Sequence, residues 1–93
     1  MEKFTNSDHF IERFRERIAK TSAKRIYNYA ARARFEGIPP CSLKDSNCRW
    51  TYMEAEKSNG SSIRIYKNTV FIYSKDLKTA ITCYKLNRHK AVY

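Results

Sequence analysis

At 93 residues the chain has the length of one domain and is too short for two. Hydrophobic residues make up 42% of it, which excludes a disordered tail, and no apolar run reaches the length of a membrane-spanning helix. Lysine and arginine number 19 against 9 acidic residues, and the resulting net charge of +10 attracts polyanions and is screened by salt.

The residues before Ser7 read as a short lead-in. Ser7 or Asp8 can cap a helix that runs to about Lys20, with Phe10, Ile11, Phe14 and Ile18 recurring as its buried stripe. His9, Arg13 and Arg17 form a separate row at i, i+4 and i+8. Thr21 and Ser22 offer a second cap, for a helix from Ala23 to Glu36 that packs through Ile26, Tyr29, Ala30 and Ala33 and carries Lys24, Arg25, Arg32 and Arg34 elsewhere. Gly37 and the pair Pro39–Pro40 stop it.

Residues 41–48 read as loop, and RWTYMEAEK, from Arg49 to about Lys57, alternates well enough for a strand ending in the turn Ser58–Asn59–Gly60–Ser61. The clearest hairpin follows. Ile63–Tyr66 and Thr69–Ser74 flank Lys67–Asn68, so Ile65 faces Val70 and Ile63 faces Ile72. A last strand runs from Thr79 to Leu86, after a turn at Ser74–Leu77. Helices followed by strands predict an α+β fold, with the two N-terminal helices packed on one face of a three- to four-stranded antiparallel sheet.

In that register the four aliphatics of the hairpin share the face that meets the helices. Arg64, Tyr66, Phe71, Tyr73, Thr82 and Tyr84 fall on the other face. A cationic sheet interleaved with rings is a platform for phosphates and splayed bases, each stacked base contributing about 1–3 kcal/mol. The alternative is that the rings pack beneath a loop or a partner. His9 can act as acid or base near neutral pH, with arginines stabilising a phosphate; from spacing alone the row reads first as an exposed charged helix face. The tail RHKAVY, with His89 and Tyr93, reads as a basic arm. Cys41, Cys48 and Cys83 form no CxxC pair or Cys/His cluster, so neither metal nor cofactor is expected, and Cys83 reads as a buried thiol. The opening MEKFTNSDHF lacks the apolar core of a signal peptide, which points to the cytoplasm.

Three stretches carry a family resemblance. SDHFIERFRERI resembles the opening of small bacterial and phage proteins, AARARFEGI their alanine-rich second helix, and IRIYKNTVFIYSKDLKTAITCYKL their closing hairpin and strand. Proteins of this layout are similar to the barnase–EndoU–colicin–RelE group of ribonuclease folds. The resemblance implies one RelE-like domain over residues 1–93 and a metal-independent, toxin-like or phage accessory endoribonuclease. It further implies that a ribose 2′-OH attacks the adjacent phosphate. His9 would be the base or acid, Arg13 and Arg17 the arginines of the opening motif, Thr82 a contact to the scissile phosphate, and Tyr84 a stacking or proton-transferring group. Arg64 adds an electrostatic clamp from the strand alternation. The implied partner is nucleic acid, RNA before DNA, with an acidic protein or antitoxin as a second partner class and no membrane; a phage-encoded chain would act in the host cytoplasm. The competing reading is a non-catalytic nucleic-acid-binding or host-protein-binding module on the same fold.

Overall fold

Ser7 and Ser22 open the first two helices. Ser7 Oγ accepts from the Phe10 N–H at 3.0 Å and starts α1, Asp8–Arg17; Ser22 Oγ accepts from the Arg25 N–H at 3.3 Å and starts α2, Ala23–Glu36. The first helix stops short of Lys20, because the N–H groups of Ile18 and Ala19 both turn back to the Phe14 carbonyl, at 2.9 and 3.1 Å. The computed structural model describes residues 4–86, so the tail containing His89 and Tyr93 lies outside the described residues.

The strand expected from Arg49 to Lys57 is instead part of a third helix, α3, Ser46–Asn59. Asp45 Oδ1 accepts from the N–H groups of Asn47 and Cys48, at 2.9 and 3.0 Å, and Gly60 ends the helix in the left-handed region at φ 62°. Cys48, Tyr52 and Ala55 recur at helical spacing on its inner side. A 3₁₀ turn at Pro40–Ser42 links α2 to α3.

The strands are β1, Thr5–Asn6; β2, Ser61–Tyr66; β3, Thr69–Ser74; and β4, Thr79–Lys85, in the sheet order β1-β4-β3-β2. The β2–β3 register is as the sequence predicts, with Ile63 opposite Ile72 and Ile65 opposite Val70. Lys67 and Asn68 form its turn, both at positive φ, 49° and 61°. The sheet is mixed where an antiparallel one was expected, since β1 pairs parallel to β4. The fold class is α+β, with three α-helices among the described residues.

Both faces of the sheet are covered, which corrects the expected open platform. On the first face, α1 and α2 pack Phe10, Phe14, Ile26, Ala30 and Ala33 against Phe71, Tyr73, Ala80 and Cys83. On the second, α3 and Leu43 pack Cys48 and Tyr52 against Ile63, Ile65 and Val70. The N-terminal helices therefore roof the ring-bearing face, and the aliphatic face belongs to the helix that alternation disguised as a strand. The β3–β4 register corrects a second expectation: Tyr84 pairs with Val70 and Thr82 with Ile72, so both lie on the aliphatic face and not with Phe71 and Tyr73. A bulge beyond them, where Tyr73 pairs with Ala80, extrudes Ile81, which is 40% exposed. The β2 edge and the part of β4 that runs past the two-residue β1 are also occupied. Ile38 exchanges two backbone bonds with Ile65 on β2, at 2.9 and 2.8 Å. On β4, the Ser7 hydroxyl donates to the Ile81 carbonyl at 3.1 Å, and Arg17 Nη1 donates to the Cys83 carbonyl at 3.1 Å.

Candidate functional site

The residues of the expected ribonuclease site lie in different surroundings. His9 is exposed on α1. Arg13 is bound to Glu16 on the same helix at 3.0 Å, and Arg17 reaches across the β4 edge to Cys83. Thr82 and Tyr84 pair with Ile72 and Val70 and so point to the second face, where the Tyr84 ring lies 6.2 Å from that of Tyr52. Burial raises the Tyr84 hydroxyl above the ordinary phenol range, and the Arg17 charge partly counters it. Arg17 is thus bound to the backbone of β4 at Cys83, next to Thr82 and Tyr84 in the chain. His9 belongs to a helix on the first face, whereas Thr82 and Tyr84 are turned to the second.

The expected stacking residues fare unequally. Phe71 and Tyr73 are both 0% exposed and cannot meet a base. Tyr73 is fixed by its hydroxyl, which donates to the Ala30 carbonyl at 2.7 Å, and burial raises it far above its usual range. Arg64 is half-buried on the first face, its Nη1 donating to the Ile63 carbonyl at 2.8 Å. Tyr66, at the end of β2, keeps an accessible edge.

Tyr66 belongs to a cleft that the sequence reading did not assemble. Arg25, Asn28, Tyr29 and Arg32 stand along one flank of α2 at helical spacing, and Tyr66 and Lys67 rise opposite them from the β2–β3 hairpin. The cleft has a volume of about 260 Å³, and among the described residues that line it none is acidic. The rings of Tyr29 and Tyr66 meet edge-to-face at 5.5 Å, with the Lys67 ammonium 5.8 and 5.3 Å from their centres. Burial raises the Tyr29 hydroxyl, Lys67 lowers it and Tyr66 raises it, so the phenol is a proton donor at neutral pH. Glu36 stands at the cleft's margin. It accepts from the Tyr66 hydroxyl at 3.2 Å and pairs with Arg32 Nε at 3.4 Å.

Two signals in the sequence bear on this site, the i, i+3, i+4, i+7 row from Arg25 to Arg32 and a lysine at a turn position that favours glycine or asparagine. Neither shows that hairpin and helix meet. A larger cavity of about 500 Å³, between Ile38, Leu43, Cys48 and Leu86, carries one cation and one acid, Lys44 and Asp45, and Asp45 is committed to capping α3. Among the described residues no group of three or more His, Cys, Asp or Glu side chains could hold a metal ion, and no helix is long and apolar enough to cross a membrane. The three cysteines are free thiols: Cys41 is exposed, and Cys48 and Cys83 are buried.

The chain matches no protein-family model, no curated protein and no solved structure.

Proposed function

We propose that this protein is a small nucleic-acid-binding module, directed to RNA before DNA, whose contact is centred on the cleft between α2 and the β2–β3 hairpin. One observation carries the reading: Arg25, Arg32 and Lys67 converge with two tyrosines and an asparagine, with the Glu36 carboxylate held at the margin by Arg32 and Tyr66, on a chain of net charge +10. Cations supply salt-dependent affinity for phosphates, and phenol and amide groups supply hydrogen bonds that a point charge cannot.

Titrating a labelled RNA across salt concentrations tests this. The logarithm of the binding constant should fall linearly with that of salt, by about 0.7 for each phosphate neutralised on a single strand. Arg25→Glu with Arg32→Glu should weaken binding far more than Lys44→Glu with Lys57→Glu, a control of equal charge on the α3 side. Equal losses from the two pairs would reduce the site to diffuse charge attraction.

Endoribonuclease chemistry is the second reading, and the specific observation favouring it is that Arg17 Nη1 donates to the Cys83 carbonyl at 3.1 Å, between Thr82 and Tyr84 on β4. RNA carrying new 2′,3′-cyclic phosphate ends after incubation with EDTA would assign it. Intact RNA, bound but not cut, assigns the non-catalytic module.

A further inference from the structure

Lys67 is in an unusual place for a lysine. It holds φ 49° at the first central position of a two-residue hairpin turn, where glycine, asparagine and aspartate are the ordinary occupants. Strained backbone kept at a cleft is a pointer to function. Its ammonium hangs over the Tyr29 and Tyr66 rings. The other two cations, Arg25 and Arg32, stand two helical turns apart on the facing wall. The Glu36 carboxylate meanwhile takes Arg32 and the Tyr66 hydroxyl, two donors that an incoming phosphate oxygen would use. At about 260 Å³ the cleft falls below the roughly 300–1,000 Å³ of pockets that enclose a whole small molecule. It has room for one segment of a longer ligand.

From these observations, and resting on the nucleic-acid reading above, we infer that the cleft is a subsite for one unpaired nucleotide of a strand. Lys67, Arg25 and Arg32 hold its phosphate, the Tyr29–Tyr66 pair meets its base or ribose, and Glu36 competes for the same donors. A base stacked within a duplex cannot offer its face to the tyrosines, so the subsite favours single strands. Glu36 sets a threshold: a strand engaging several contacts at once displaces it, and a lone small anion does not.

Lys67→Gly tests this without a folding penalty, because glycine is at ease at φ 49°. The probes are a labelled single-stranded oligouridine of about 12 nucleotides and an RNA duplex of similar length. The wild type should prefer the single strand. Lys67→Gly should keep or raise the melting temperature while weakening single-strand binding about tenfold, and it should make the salt slope shallower by about 0.7. Glu36→Gln should tighten binding a few-fold. Inorganic phosphate and uridine monophosphate should compete poorly.

If Lys67→Gly and Arg25→Ala/Arg32→Ala both bind the oligouridine as the wild type does, the subsite is wrong while nucleic-acid binding stands. If the duplex binds as tightly as the single strand, the unpaired-nucleotide assignment falls. Strong displacement by uridine monophosphate would make the ligand a free nucleotide and overturn the strand. If the wild type binds neither probe, this inference and the reading beneath it fail together.

Discussion

Gly37 shows how a single residue can be placed correctly for the wrong reason. The sequence marks it as a helix stop, and α2 does end there, but its φ of −74° is one that any residue adopts. What requires glycine is proximity. A Cβ at this position would lie 2.6 Å from the Ala33 carbonyl oxygen and 3.1 Å from that of Ile65, both backbone atoms that cannot swing aside. Gly37→Ala should therefore push α2 away from β2 and destabilise the fold by about 1–3 kcal/mol, read as a lower urea midpoint. An unchanged midpoint would show that the helix end is free to shift. Lys67 presents the opposite case at the same scale: its backbone is strained, so its replacement by glycine removes a functional group and relieves the chain. Ser7, Ser22 and the Lys67–Asn68 turn were legible because each depends on local chemistry alone.

At the scale of elements, α3 was the least legible part of the chain. RWTYMEAEK alternates apolar and polar residues over a short window, and the helical stripe that competes with that pattern, Cys48, Tyr52 and Ala55, begins before it. Asp45, the cap that decides the matter, lies in a stretch that reads as loop. Asp45→Ala should cost about 1 kcal/mol by freeing the N–H groups of Asn47 and Cys48, and should loosen Tyr52 from the second face. Hydrogen exchange along residues 46–52 checks this, and unaltered protection there would mean that side-chain packing alone holds the helix start. Missing α3 also inverted the roofing of the sheet. The hairpin register was correct to the residue, but both of its faces are apolar enough to bury. Phase alone could not say which one the first two helices would take, and the extrusion of Ile81 lay beyond strict alternation.

At the scale of the molecule, the core is rich in phenols. Burial is the leading cause that raises Tyr29, Tyr73 and Tyr84, and it pushes Tyr52 up to about 12 from 10.0. Cys83 is moved from 9.0 to about 12 by the same cause. In each case the folded chain holds its proton more tightly than the unfolded chain. The stability these groups contribute is therefore complete below about pH 9 and is lost as the pH rises from there through the folded values, because the unfolded state ionises first. Thermal midpoints measured against pH should stay level on this account through neutrality and drop above about pH 9, with phenolate absorbance lagging that of the urea-unfolded chain. Midpoints level up to pH 12 would contradict the burial of these groups. Net charge is the other whole-molecule property. It was legible from the first count of residues, but the cleft where three of the cations gather was not, because that cleft joins α2 to a hairpin well further along the chain.

The most direct test is to cross-link the protein to single-stranded RNA with ultraviolet light and map the modified peptides. The account predicts adducts on Tyr29 and on the hairpin segment containing Tyr66 and Lys67. Adducts confined to α3, where Trp50 is 67% exposed, would contradict it.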